Sequence, residues 1–533
     1  MGQSNCCHED KVPQAIEEVP GHAGTGPGDV PKAPAAVTLD ACNAEETGEA
    51  LPVTFNSCRS HFGRIQRQNT NRQLLVDTEI LRSVSLRRTL HWLGEMWSKN
   101  PAELSISQGE ALWSQSHPAL KYDIFLSHTW QTSGTQKFLA LSLQSGWSVA
   151  IAFWLLGVST SVVLCLCKVL PTWPVMVLPN FDAPTTVWTN LLGLIFLTVG
   201  FLIAPYLPRC RSVADACFLD VACVNQSDRE LMERAVYGLG GFLSVSDELR
   251  VLWSPPYLSR LWCIFELAAY RSANPTGRIR FAPIYIELSV LVAVVAGHVA
   301  CCFFAAFTGW LSAHPALAAI AGWLPLTQAL HTLRRLNRSR AELISEMQSF
   351  SLSRAVCSNS QDRDYVMSAI AHWYQSPEGF EDYVRGPLRQ ELMRSISFAK
   401  VSPGYLFLIA TAPASAAIQV LIGFWESGAS REELLCSVVA RVLSTGIFWM
   451  IFCAKMCILN LCHRFAARWP CCDLLPSLLI SLALLVATQL GVVLGRMAAQ
   501  NLLTALHLWP NFGEVEVIWL ALSLSLTIGT LRW

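Results

Sequence analysis

Two uncharged apolar runs, residues 148–167 (SVAIAFWLLGVSTSVVLCLC) and 187–206 (VWTNLLGLIFLTVGFLIAPY), interrupt the chain between stretches that read as two halves of one small α/β unit, 122–146 and 215–270. About 20 apolar residues at 1.5 Å each cover a bilayer's hydrocarbon core, so each run is long enough to cross it. A buried helix of a soluble protein would show a polar stripe, and neither run has one. Further apolar runs near residues 283–307, 315–330, 403–425, 434–461, 474–494 and 515–531 bring the expected total to about eight spans. Composition agrees: 52% of residues are hydrophobic and 15% charged, with a mean hydropathy of +0.36, against about 25% charged in an ordinary soluble domain. Lys and Arg balance Asp and Glu at 39 each, so nothing points to nucleic acid as a partner; the lipid bilayer is the expected one.

Arginines orient the bundle. They crowd the segments after the second, fourth and sixth runs: Arg209, Arg211, Arg229, Arg234, Arg250 and Arg260, then Arg334, Arg335, Arg338 and Arg340, then Arg464 and Arg468. The alternate loops hold little beyond Lys168, Arg431 and Arg496. Positive loops stay cytosolic, which puts the N-terminus, both halves of the α/β unit and the C-terminus on one side. An odd number of crossings between the halves would forbid that.

Residues 1–65 lack an apolar core, are rich in Gly, Pro, Ala and Glu, and read as a disordered tail without a signal peptide. Their opening, Met1-Gly2-Gln3-Ser4-Asn5-Cys6-Cys7, resembles a dual-acylation signal, with Gly2 for myristate and Cys6 and Cys7 for palmitate. Cys6 stands where that pattern has Ser or Thr. The 19 cysteines include many in apolar runs and show no repeated CxxC spacing, as expected of reduced thiols serving as small apolar residues. Cys471 and Cys472, beside Arg468, suit palmitoylation.

Residues 66–117 mix Arg72, Arg82, Arg87 and Arg88 with Leu74, Leu75, Ile80, Leu81, Leu90 and Leu93, which predicts a basic helical segment resting on lipid or on the α/β unit. Residues 331–400 form a second cytosolic helical segment, in which Ser376-Pro377 breaks one apolar face and Phe380, Tyr383 and Val384 resume it. No catalytic spacing occurs there, so packing or coupling is its expected role.

Within the split unit, 118–146 and 207–276, YDIFL (122–126) is a short strand ending in Ser127-His128-Thr129-Trp130, followed by a helix expected to stop at Gly146. CFLDV (217–221) supplies the next strand, a helix opens at Asp228 and ends at Gly240-Gly241, two extended segments follow (242–245 and 249–253), and a last helix runs over 259–270. Alternating strands and helices predict a parallel sheet covered on both faces.

YDIFLSH resembles the first strand of Toll/interleukin-1 receptor (TIR) domains, SRLWCIFELA resembles their WCxxEL helix, and FLDVACVNQSD resembles the second strand and following loop of TIR-like proteins from algae and protists. The likeness covers roughly 80 to 90 residues in three ordered blocks. It implies an α/β flavodoxin-like module, here interrupted by a transmembrane hairpin (148–167 and 187–206) and joined to an all-α polytopic bundle with two helices in 283–330 and four in 403–531. Two differences stand out. The hairpin replaces a short loop of the family, and the family's long acidic loop after the second strand has no counterpart.

In catalytic members of that family the motif's glutamate cleaves nicotinamide from NAD, a role that falls here on Glu266. Breaking an N-glycosidic bond builds oxocarbenium-like charge that a nearby carboxylate stabilises. NAD is then a substrate; no cofactor or metal is implied. The resemblance places Trp130 against a substrate ring, and Ser127, His128 and Asp220 at the carboxyl ends of the strands, where open α/β sheets bind ligands. The plainer readings are a Glu266 paired with Arg260 or Arg271 on its helix, core packing for Trp262 and Phe265, a loop hydrogen bond for His128, and a turn for Asp220. Cys263 has no histidine within the motif and suggests no thiol chemistry. Signalling is the implied function, with NAD+ nucleosidase activity; the alternatives are a non-catalytic scaffold that self-associates with its own kind, or a channel or transporter with a regulatory domain. For the last, His298 is the only ionisable group deep in the third run and, with Gln489, gives only thin support for a pore, while Arg441 and Lys455 lie near the ends of the sixth and can snorkel.

Overall fold

The computed structural model describes residues 74–532 except 179–180, 209–214, 311–314, 396–401, 468–472 and 509–513. The acylation candidates Gly2, Cys6 and Cys7, with Arg72, Arg209, Arg211, Arg468, Cys471 and Cys472, lie outside the described residues. Among the described residues the protein is mostly helical, with a small mixed sheet of six strands and six helices long and apolar enough to cross a membrane, consistent with a multi-pass membrane protein.

Strands β1 (Arg82–Ser85) and β2 (His117–Pro118) pair antiparallel at one edge. β3 (Tyr122–Ser127) occupies the interior and is buried along nearly its whole length. Its near-continuous apolar pattern is that of a strand covered on both faces. Helix α1 (Gly134–Leu166) follows, then the hairpin strands β4 (Trp173–Leu178) and β5 (Phe181–Thr185), then α2 (Trp188–Ile203), which returns the chain to the sheet. β6 (Ala216–Phe218), α3 (Asp220–Cys223), α4 (Arg229–Tyr237), α5 (Leu239–Ser244), β7 (Ser246–Trp253), α6 (Leu261–Ala273) and β8 (Arg278–Pro283) complete the unit. The sheet order is β2-β1-β6-β3-β7-β8, in which β3 pairs parallel with β6 and β7, and β7 parallel with β8. Segments on either side of the hairpin therefore lie side by side: Phe125 stands opposite Phe218, their rings stacked with centroids 4.4 Å apart. The lone acid of β3, Asp123, accepts the backbone N–H groups of Asp215 and Ala216, each at 3.0 Å, where the chain re-enters the sheet.

Several local expectations change. The helix after β3 does not stop at Gly146; α1 is one rod of 33 residues, about 50 Å long, running from the sheet into the first apolar run. Gly146 works there by its missing side chain, since a Cβ would stand 2.8 Å from the Cβ of Ala204. Gly200, on α2, meets α1 in the same way, with Phe153 Cβ 2.6 Å from where its Cβ would be. Close backbone approach is how helices associate where the surrounding lipid is as apolar as the side chains. Residues 217–221 are not all strand: the strand ends at Phe218, and Asp220 opens α3. Gly240 and Gly241 lie inside α5, which also takes up most of the first expected extended segment (242–245); only the second, 249–253, is strand, as part of β7.

The 66–117 segment is not simply helical. Its β1 joins β6 in the sheet, and Arg87 donates to the carbonyl oxygen of Pro205 at 3.1 and 3.2 Å, and also to that of Leu207, at the end of the second span. A cation satisfying terminal carbonyls is a favourable helix ending. Among the described residues, six of the eight expected spans are long and apolar enough to cross a membrane. Helix α7 (Ile284–Trp310) qualifies, whereas α8 (Pro315–Gln348) starts apolar and turns basic from Arg334, and the last helix keeps a shorter apolar stretch, Ile518–Gly529. Lys455 does not snorkel: it is 5% exposed and its ammonium has no hydrogen-bond partner. The 331–400 segment continues α8 into α9 (Ser360–Tyr374) and packs on α6, where Tyr374 donates to Ala268 O at 3.2 Å and Leu261 N–H donates to Val356 O at 3.1 Å.

Candidate functional site

The carboxyl ends of β3 and β6 and the first turns of α6 converge on one polar cluster. β3 delivers Ser127, fully buried, whose hydroxyl lies 2.5 Å from the Tyr257 hydroxyl and donates to Glu266 Oε2. On α6, Cys263, Ile264, Phe265, Leu267 and Ala268 are buried, and Glu266 is half-buried with its carboxyl aimed at β3. Burial, assisted by the charge of Asp220 and opposed by the Ser127 hydrogen bond, pushes Glu266 up to about 8. At neutral pH the carboxyl is mostly protonated. Neither plain pairing for Glu266 forms: Arg271 instead binds Glu391 at 2.9 Å and the Tyr383 hydroxyl at 3.0 Å.

His128, 8% exposed, stands beside Glu266's neighbours: Cys263 Sγ lies 3.4 Å from its carbonyl oxygen. Its Nδ1 lies 3.3 Å from Lys137 Nζ and its Nε2 3.5 Å from Asp220 Oδ1. Burial and the Lys137 charge hold His128 below its ordinary value, against the pull of Asp220. An ammonium can only donate, so in the neutral ring Nδ1 accepts and the proton sits on Nε2, facing Asp220. Asp220 accepts from the Trp130 indole N–H at 2.7 Å and from the Val221 N–H at 2.8 Å. Burial alone would raise its carboxyl, but His128 and these two donors outweigh that and hold it below the usual range.

Trp130 is committed within the cluster rather than free to stack on a ligand. Its ring meets His128 edge-on at 4.6 Å and carries Lys137 Nζ 4.5 Å above its face. Ser127, His128, Trp130 and Asp220 thus gather in one place, close to Glu266, with Trp130 and Ser127 donating to the cluster's own carboxylates and Lys137 set against the imidazole. Asp220 heads a helix rather than making a turn. Two concavities of the described residues lie elsewhere, one of about 220 Å³ among Arg88, His91 and Glu95, the other of about 400 Å³ on the sheet face carrying Arg250.

Lys137, Tyr257 and Trp97 escaped the sequence reading. Lys137 had a signal, being the one Lys or Arg between Lys121 and Lys168; a solitary cation ahead of an apolar run is worth placing. Tyr257 and Trp97 reach the cluster only through tertiary packing. Among the described residues no group of three or more His, Cys, Asp or Glu side chains is arranged to hold a metal ion. No protein-family model, no curated protein and no solved structure matches the chain.

Proposed function

We propose that the chain is a multi-pass membrane signalling protein whose sheet is a TIR-like module on the cytosolic side, with Glu266 as its NAD-cleaving carboxylate. The observation that carries this reading is the meeting of Glu266 with Ser127 at the carboxyl end of β3, a carboxyl on a half-buried residue whose proton affinity is perturbed, which is a common signature of a chemical site. The parallel strands support it as well. Counted along the chain, β3, β6, β7 and β8 stand in the order 2-1-3-4, the doubly wound arrangement whose ligands bind at the carboxyl ends around the first strand.

In this reading Glu266 in its ionised form faces the ribose and stabilises the positive charge that grows as nicotinamide leaves. Ser127 holds the carboxyl in place, and the Lys137–His128–Asp220 group fixes Trp130 at the rim. NAD cleavage then rises with pH as Glu266 loses its proton, with a midpoint at about 8.

A second reading, a TIR-like scaffold acting by self-association, is favoured by the engagement of Trp130 and Asp220 with each other, which leaves neither to a substrate. One experiment separates the two. Full-length protein in detergent or vesicles is assayed for NAD consumption, alongside Glu266→Ala. The enzyme reading expects consumption by wild type and its loss in the variant with unchanged unfolding midpoint. No consumption by a folded, oligomeric wild type selects the scaffold.

A further inference from the structure

The register of β7 and β8 puts Glu248 opposite Arg278 and Arg250 opposite Arg280, on the same sheet face as Ile124 of β3. This face floors the concavity of about 400 Å³, and α1 walls it through Leu141, Gln144 and Ser145. Its position is set by covalent connection. Ser145 lies just ahead of the apolar run in α1, and β8 ends at Pro283, where α7 starts at Ile284. The cavity therefore opens where two spanning helices leave the sheet, at the level of the bilayer's headgroups.

Its charges are unevenly paired. Glu248 serves two guanidinium groups, Arg250 at 2.6 Å and Arg278 at 3.4 Å. Arg280 is exposed and has no carboxylate in pairing range among the described residues. The other two acids of the rim are already engaged, Asp247 with Lys121 at 3.0 Å and Asp123 with the backbone at β6. Arg250 is 8% exposed, and Gln144 Oε1 is buried without a partner while its Nε2 donates to Glu287 at 2.9 Å. A buried guanidinium backed by two exposed ones, in a cavity of headgroup size, is a seat for an oxyanion with several acceptor oxygens.

We infer that Arg250, Arg278 and Arg280 bind the phosphorylated headgroup of an anionic phospholipid, which enters from the surrounding leaflet. Basic pockets beside spanning helices recognise such headgroups, and guanidinium forks match phosphate geometry. Charged side chains on an edge strand such as β8 also deter unwanted strand pairing, but that task requires neither a cavity nor a buried Arg250 behind it. The inference is independent of what Glu266 does.

The test uses full-length protein in nanodiscs of phosphatidylcholine with or without phosphatidylinositol 4-phosphate, and reads lipid retention by native mass spectrometry. Wild type retains the phosphoinositide; the double variant Arg278→Gln/Arg280→Gln loses it by about tenfold or more, while Arg229→Gln, whose guanidinium pairs with Glu233 on the surface, keeps it. Both altered arginines are exposed, so folding is preserved. Equal retention by the double variant, or displacement of the lipid by inorganic phosphate at similar concentration, would overturn the assignment.

Discussion

The sheet and the membrane bundle both bury polar side chains, and they do so by opposite means. At the end of β3 the groups are ionisable: Lys137, His128 and Asp220 meet around Trp130, and Glu266 lies beside them on Ser127. Between the spans the cross-helix contacts are mostly neutral, with the buried ionisable Glu287, Lys455 and Arg334–Asp473 toward the helix ends. There Trp154 donates to Ser415 at 2.9 Å, Thr189 and Asn190 donate to Gln419 Oε1 at 3.0 and 3.2 Å, and His298 lies 3.1 Å from the Thr411 hydroxyl. A buried charge needs a counter-charge and several donors, which a sheet edge with converging loops can supply. A helix bundle offers mostly hydroxyls and amides at fixed heights, and these suffice only for neutral partners. The difference teaches where a cluster of interacting titratable groups forms: it is at the end of the sheet, while the hydroxyl and amide network between the spans is glue.

The largest effect expected from that contrast is at Lys137, fully buried beside His128. Lys137→Met leaves Asp220 without its nearby cation and should cost on the order of 3 kcal/mol in chemical denaturation at neutral pH. The same change removes the charge that depresses His128, so its titration, followed by NMR, moves upward toward or beyond its ordinary value. A variant as stable as wild type would show that the ammonium is dispensable and the cluster is not an electrostatic unit.

Glu266→Gln sharpens the contrast through pH. Because the folded protein holds Glu266 protonated to about pH 8 while the unfolded chain ionises near the ordinary glutamate value, the folded state binds the extra proton in that window. Its contribution to stability is complete at low pH and is lost as pH rises through the folded value. Glutamine keeps the hydrogen bond and cannot ionise, so stability between about pH 5 and 8 should decline less in Glu266→Gln than in wild type. Parallel curves would remove Glu266 from the titrating groups.

The smallest effect belongs to the bundle. Gln419→Leu deletes the acceptor shared by Thr189 and Asn190 and should cost only about 0.6 to 1 kcal/mol, independent of pH. A loss as large as that of Lys137→Met, or one that varies with pH, would erase the distinction between the two regions.

Much of the framework was legible in the residues, for reasons that also explain the rest. The apolar runs and YDIFL carry their periodicity on their face, and α6 shows its helical pattern in SRLWCIFELA. β1 and β8 are strands only because neighbours pair with them. Their Arg-rich sequences, RSVS and RIRFAP, have no strong intrinsic preference, and β-structure depends on context more than helix does. The helix of the module and the first span looked like two elements because Gly146 reads as a stop. Tertiary contact with Ala204 turns the same glycine into a packing residue. At the site, Glu266, Ser127, His128 and Asp220 could be named from the motifs, but their engagement with one another could not. Lys137 belongs to the cluster by virtue of its place on α1, three-dimensional information that spacing along the chain does not hold.

The claim on which everything rests is that chain leaving the sheet through α1 returns to it through α2 on the same side of the membrane. Introduced cysteines at the exposed positions Gln131 and Arg229, labelled with a membrane-impermeant maleimide in oriented vesicles and quantified peptide by peptide, test it most directly. The account predicts that both label from the same face, and that both are silent when only the other face is exposed. Labelling of the two positions from opposite faces would contradict it, because β3 and β6 could then never pair.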